Sequence, residues 1–157
     1  MTRAVLLAAI ALLSTLSLAA QTPPSSGSSA QAAAPSTFSV VEATIPQMRA
    51  AMEQGRVTSR ELVIQSLLRI ATYEETLNAV IAVNPRALAE ADELDRERRD
   101  GKVRGPLHGI PIALKDNIHT TDMPTTGGAL AFEGFVPPYE ATLVRNLREA
   151  GAIVLAK

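Results

Sequence analysis

The chain has 157 residues, of which 46% are hydrophobic and 20% charged, with a formal net charge of -1 and no cysteine. A charge balance this close to neutral does not favour nucleic acid or an anionic membrane surface as a partner. The absence of cysteine excludes disulfides, thiolate metal sites and a cysteine nucleophile. We therefore expect a small or neutral molecule as the partner, and a fold that is stabilised by packing alone.

Residues 1–20, MTRAVLLAAIALLSTLSLAA, have the layout of a secretory signal peptide, because Arg3 precedes an apolar run that ends in small residues. We expect cleavage near Ala19 or Ala20, export to the periplasm or the medium, and no stable membrane span afterwards. The alternative is an uncleaved membrane anchor. The apolar run is shorter than the ~20 residues that a membrane-spanning helix requires, which favours the signal peptide.

Residues 21–40 are predicted to form a disordered linker. They are rich in Ser, Pro and Ala, and no charged residue occurs between Arg3 and Glu42. Such a composition offers little apolar surface to bury, as is typical of a flexible tether. The folded domain is therefore predicted to occupy residues 41–157.

Two capping boxes mark the starts of the first two predicted helices. They are TIPQ at residues 44–47 and TSRE at residues 58–61, in which a threonine precedes a Gln or Glu by three positions. The first helix is predicted to end at Gly55. The second has a broad apolar face and is predicted to run to about Tyr73.

A strand and a third helix are predicted next. Residues 78–83, NAVIAV, form a short apolar run that favours a buried strand. Asn84 and Pro85 then cap a helix whose inward face carries Ala87, Leu88, Ala91 and Leu94. Its other face is predicted to be solvated, because charges of both signs alternate along it: Glu90, Asp92, Glu93, Asp95, Arg96, Glu97, Arg98 and Arg99.

The remaining pattern is strand, helix, strand. Residues 110–115 and 152–156 are apolar runs, and between them Leu143, Val144 and Leu147 mark a helix that ends at Gly151. Alternating strands and helices predict the α/β class, with a mixed sheet flanked by helices. Three strands are fewer than most complete α/β domains contain, so we expect the first part of a larger, truncated domain.

Lys115 is the candidate for chemistry. In the stretch GIPIALKDN, residues 109–117, strand alternation places Lys115 on the same face as Pro111 and Ala113, and Asp116 on the opposite face. A lysine acts as a base only where burial or neighbouring charge lowers its pKa from the ordinary value of ~10.4. The alternative is a solvated lysine at a strand end, which the spacing by itself favours.

The run from Gly105 to Lys157 resembles the amidase signature family, and the helices from Thr44 onward match the N-terminal part of that family. The most specific element is the string Pro-Leu-x-Gly-Ile-Pro followed by Lys-Asp at residues 106–116, reinforced by TTG at residues 125–127 and GAIV at residues 151–154. The resemblance implies the N-terminal part of the amidase-signature fold. It also implies a hydrolase that cleaves a carboxamide C–N bond and needs no cofactor.

Members of that family use a triad of a nucleophilic serine, a second serine in a cis peptide bond, and an unprotonated lysine. The lysine relays a proton through the second serine, so that the nucleophile can attack the amide carbonyl. Lys115 corresponds to the lysine of the triad. The resemblance thus implies that Lys115 is a catalytic base, acting on a small-molecule or peptide-like amide.

The two serines of the triad have no counterpart in this chain. In the family both lie downstream of the position that matches Lys157, whereas this chain has no serine after Ser66. One interpretation is a fragment of a longer amidase. The alternatives are a non-catalytic exported remnant or binding domain, and a glutaminase-type subunit of the tRNA-dependent amidotransferase, which the export signal disfavours.

The other candidate positions give weak signals. Thr126, Gly127 and Gly128 are weak candidates for substrate contact, and a turn with positive φ is the favoured alternative for the glycines. His108 and His119, the only histidines, have no metal-ligand spacing and are predicted to lie in loops or turns. We therefore expect neither a metal nor a cofactor.

Overall fold

The computed structural model describes residues 38–157, so the predicted signal peptide and nearly all of the predicted linker lie outside the described residues. The helices are α1 (Ile45–Glu53), α2 (Ser59–Leu77), α3 (Ala87–Arg99) and α4 (Thr142–Glu149), and the strands are β1 (Pro111–Ala113) and β2 (Ile153–Ala156). The capping box predicted at residues 44–47 forms at the start of α1. Within the described range no helix has both the length and the apolar character needed to cross a membrane.

The sheet consists of β1 and β2, which run parallel, with Pro111 opposite Ile153. The predicted strand at residues 78–83 does not form; only Val83 joins the sheet, through an antiparallel bridge to Ala156. The backbone donors of this segment bind elsewhere, because the Val80 amide donates to the Glu74 carboxylate at 3.0 Å. The described sheet is therefore parallel, and the antiparallel part of the predicted mixed sheet is reduced to this one bridge.

Helices cover both faces of the sheet. Successive residues of β2 point to opposite faces, so Ile153 packs in one apolar cluster with residues of α2 and α3, and Val154 packs in another with Val144 of α4. A third cluster joins Ile110, just before β1, to α1 and α2. This arrangement places the end of β1 at the edge of a packed core.

Three side chains hold the start of α2. The predicted capping box forms, because Thr58 Oγ1 accepts the Glu61 amide at 3.1 Å and the Glu61 carboxylate accepts the Thr58 amide at 2.7 Å. In addition, the Asp95 carboxylate of α3 accepts the amides of Ser59 and Arg60 at 2.8 and 3.0 Å. The prediction that Asp95 is solvated is wrong, since the residue is only 8% exposed. The first-turn amides of α2 need acceptors, and packing of α3 on α2 supplies one.

Three helix predictions need correction. The N-cap of α3 is Arg86, not the predicted Asn84 or Pro85, and no side chain caps this helix. α2 continues beyond Tyr73 to Leu77, and ends where Asn78 adopts the left-handed conformation. In α4, Val144 is buried as predicted, but Leu143 is 52% exposed. An eight-residue helix turns only a narrow stripe toward the sheet, and Val144 and Leu147 occupy it.

Candidate active site

Lys115 lies just beyond the carboxyl end of β1 and projects outward. Leu114 before it and Asp116 after it are buried, whereas Lys115 is exposed, as the alternative of a solvated lysine at a strand end predicts; the predicted strand at residues 110–115 ends earlier, at Ala113. Leu114 packs in the cluster between the sheet and α4, and its amide donates to the Ala156 carbonyl at 2.9 Å. The backbone on the N-terminal side of Lys115 is thus part of the core.

On the other side of Lys115, Asp116 anchors a loop. Its carboxylate oxygen Oδ2 accepts hydrogen bonds from the amide of Thr126, at 3.0 Å, and from the Thr126 hydroxyl. Its backbone carbonyl accepts the Gly127 amide at 3.1 Å. The loop that carries the weak substrate-contact candidates is therefore held against the same strand end as Lys115.

The donors of these candidates are already used within the loop. The Gly127 amide binds the Asp116 carbonyl, and the Gly128 amide donates to Thr126 Oγ1 at 3.0 Å. Both glycines have positive φ, +59° and +76°, which supports the turn that the sequence favoured. Substrate contact by Thr126, Gly127 and Gly128 remains a prediction, and donation of an amide to substrate would require the loop to exchange one of these bonds.

Lys157 takes part in this region, although the sequence did not single it out. It follows β2 directly, is 4% exposed, and its Nζ donates to the Pro124 carbonyl at 3.0 Å and to Thr125 Oγ1 at 2.5 Å. A signal was available. Both Lys115 and Lys157 end an apolar run, and two parallel strands place such ends side by side.

The electrostatics of the strand end depend on two buried charges. Burial by itself raises the pKa of Asp116, but the hydrogen bonds from Thr126 and the positive charge of Lys157 outweigh it, and the pKa lies below its usual value. Burial lowers the pKa of Lys157, and the carboxylates of Asp116 and Asp122 oppose this in part. Oδ1 of Asp116 is buried without a donor from residues 38–157, so Lys157 helps to compensate its charge.

The described serines on α2 have local partners. Ser59 is fully buried, and its Oγ lies 3.7 Å from Met52 Sδ. Ser66 Oγ donates to the Leu62 carbonyl at 2.8 Å, within the helix. Neither side chain is arranged as a nucleophile next to Lys115.

The histidines also have local partners. His108 lies in a turn before β1 and His119 in a loop after it, as predicted. His108 is buried, with Nδ1 accepting the Arg104 amide at 3.2 Å and Nε2 donating to the Leu94 carbonyl at 3.0 Å. The His119 ring stacks edge-on against Tyr139 with 5.0 Å between ring centroids. Residues 38–157 contain no group of His, Asp and Glu that could hold a metal ion.

The amidase family profile matches residues 61–157, which is more than half of the chain. The chain belongs to the amidase family. Among its relatives is a component of the glutamyl-tRNA(Gln) amidotransferase of Rhodopirellula baltica, which is 46% identical over 107 residues, 68% of this chain and 21% of that protein.

Solved amidase structures match the fold. The peptide amidase of Stenotrophomonas maltophilia has a TM-score of 0.71 at 52% identity, over 74% of this chain and 24% of that one. An amidase family protein of Bacillus anthracis also gives 0.71, at 37% identity over 75% of this chain and 24% of that one. The chain thus has part of the amidase-signature fold and spans about a quarter of the length of the amidases it matches.

Proposed function

We propose that this chain supplies the lysine-bearing part of an enzyme that hydrolyses a carboxamide, with Lys115 as the catalytic base. The observation that carries the proposal is the position of Lys115 in a chain of the amidase family. It is exposed at the carboxyl end of β1, between two buried residues, in the string that resembles the lysine motif of the family. A side chain so placed can reach a substrate while its backbone stays fixed.

The chemistry is acyl transfer to a serine. A serine hydroxyl is a weak nucleophile until a nearby base removes its proton, so the amine of Lys115 accepts that proton through the intermediate serine. The activated serine attacks the amide carbonyl, the amine leaves with a proton, and water hydrolyses the acyl-enzyme. Residues 38–157 supply the base and its support, and the two serines belong to sequence beyond them in this proposal.

The proposed substrate is a small-molecule or peptide-like amide. A peptide amidase is among the most similar solved structures, which supports a primary amide at the end of a short peptide as the first substrate to test. An amidotransferase subunit is a second candidate, supported by 46% identity to the Rhodopirellula baltica protein. Export through residues 1–20 is part of our proposal. It favours the amidase over the amidotransferase subunit, because transamidation of tRNA takes place in the cytoplasm.

The first experiment determines the gene sequence beyond codon 157. Continuation in frame into a segment with two serines in a Gly/Ser-rich context supports the proposal. A stop codon directly after codon 157 counts heavily against it and favours the remnant or binding-domain alternative.

The second experiment measures ammonia release by the protein of the complete reading frame, with an amidated dipeptide and with glutamine as substrates. Lys115→Met is expected to lower kcat by roughly 10²–10⁴-fold, the typical contribution of a general base. Lys102→Met is the matched control, since Lys102 is an exposed lysine in a loop away from the strand ends. Full activity of Lys115→Met would refute the role of Lys115, and release from glutamine alone would favour the amidotransferase subunit.

A further inference from the structure

Two strands end side by side at the proposed site. β1 and β2 are parallel, and a backbone bond of 2.9 Å from Leu114 to Ala156 closes the ladder. Lys115 and Lys157 follow at the same edge of the sheet. They differ in burial, because Lys115 is exposed whereas Lys157 is 4% exposed.

Two bridges run from this edge into one loop. On the β1 side, the Asp116 carboxylate binds the amide and the hydroxyl of Thr126. On the β2 side, Lys157 Nζ binds Thr125 Oγ1 at 2.5 Å and the Pro124 carbonyl at 3.0 Å. Thr125 and Thr126 are adjacent, so these two bridges and the backbone bond from Leu114 to Ala156 together form a closed ring, here called the strand-end ring.

The strand-end ring determines the backbone at Lys115. Leu114 is held by the core and Asp116 by the ring, and the Lys115 carbonyl accepts the Ile118 amide at 3.0 Å. The direction of an exposed side chain follows from its backbone, and a functional group must be held within about 0.5 Å of its productive position. Lys157 therefore affects the direction of the Lys115 side chain indirectly, through the loop that contains Thr125 and Thr126 and through Asp116.

Stability is a weak explanation for the buried charges of the ring. Two opposite charges inside a protein gain about as much from each other as they lose in desolvation, and apolar residues of similar volume often stabilise as well. Directed hydrogen bonds, in contrast, specify the position of each loop residue. The ring contains such bonds from Thr126 to Asp116 and from Lys157 to Thr125, which points to orientation as its role.

We propose that Lys157 is a positioning residue for amide hydrolysis, because it holds Thr125, and with it the loop to which Asp116 is anchored, and thereby sets the direction of Lys115. This inference rests on the proposed function, since it takes Lys115 as the base. Thr125 and Asp116 share the role, and none of the three contacts the reacting atoms.

The test compares Lys157→Met with Thr125→Val in the protein of the complete reading frame. Both changes remove the link between Nζ and Oγ1 and keep the size of the side chain. Lys102→Met and Thr121→Val are the matched controls, because both residues are exposed. Two readouts are taken well below the melting temperature of each variant: kcat and KM for the amidated dipeptide, and hydrogen exchange of the Thr126 and Gly127 amides.

We expect each variant to lower kcat by roughly 30–100-fold with KM changed less than about threefold, as a displacement of about 1 Å would produce. Exchange of the two amides should become at least about tenfold faster, because their bonds to Asp116 depend on the ring. The double variant should be no worse than either single variant, since both break the same link.

Three results would overturn the inference, and they can be told apart. Unchanged exchange in Lys157→Met and Thr125→Val means that the loop does not depend on the link. Faster exchange with unchanged kcat means that the ring serves stability alone. Activity that survives Lys115→Met removes the proposed function, and with it this role. If Lys115→Met abolishes hydrolysis while the ring variants stay active, only the positioning role fails.

Discussion

Asp95 offers the sharpest test of how this fold is held together. Its carboxylate, 8% exposed on α3, accepts the amides of Ser59 and Arg60 in the first turn of α2. Asp92, one turn earlier on the same helix, makes an ion pair of 2.6 Å with Arg60 while both side chains stay more than 40% exposed. The two aspartates therefore differ in burial and in the kind of partner, but not in residue type or helix.

The expected loss in the free energy of unfolding differs between the two aspartates. Replacing Asp95 with Ala removes two charge-assisted hydrogen bonds and leaves the buried Ser59 amide without its acceptor, which together should lower the free energy of unfolding by about 3 kcal/mol. Asp95→Asn keeps one acceptor oxygen and should lose about half of that. Asp92→Ala removes only an exposed ion pair, for which the expected loss is about 0.5 kcal/mol.

Urea unfolding monitored by circular dichroism measures all three variants under the same conditions. The predicted order of unfolding free energy is wild type close to Asp92→Ala, then Asp95→Asn, then Asp95→Ala. A shift of Asp95→Ala within about 0.5 kcal/mol of Asp92→Ala would show that the buried carboxylate does not stabilise α2, and the reasoning would be refuted.

Two further predictions concern the turn that leads into each strand. A Cβ at Gly151, where φ is +90°, would lie 2.6 Å from His108 Cα, so Gly151→Ala should lower the free energy of unfolding by about 3 kcal/mol or more. Gly127→Ala, at φ +59° with nothing within 4 Å, should lose only about 1–2 kcal/mol, and equal losses in urea unfolding would argue against the clash. Burial lowers the pKa of His108, so the unfolded chain binds a proton at a higher pH than the folded one. The free energy of unfolding should therefore fall as the pH drops below about 6.5, and the decrease should shrink in His108→Gln; a slope unchanged by that substitution would assign it to other groups.

Local sequence signals predicted the parts of the fold that depend on neighbouring residues. The capping box at residues 58–61 contains both of its partners within four positions, and it forms as predicted. The shared face of Ala113 and Lys115 likewise depends only on local backbone geometry, and both residues are exposed in the structure. The family itself was recognisable because the lysine string is continuous in sequence.

Features that depend on distant partners could not be predicted from the local sequence. The apolar run at residues 78–83 has the composition of a strand, but its amides find acceptors in the Glu74 carboxylate and the Lys157 carbonyl, and only Val83 pairs with the sheet. Leu143 is apolar like a core residue, yet it is exposed, because the inward side of α4 is formed by Val144 and Leu147, three positions apart.

The sequence by itself determined the positions of the helices, the two parallel strands and the candidate lysine, because each follows from propensity, periodicity or a contiguous motif. Only the tertiary structure decided which charges are buried. Asp95 and Asp92 look alike in sequence, and so do Lys115 and Lys157 at the ends of their strands. Their different surroundings come from elements far away in the chain, since a buried charge persists only where packing brings it partners.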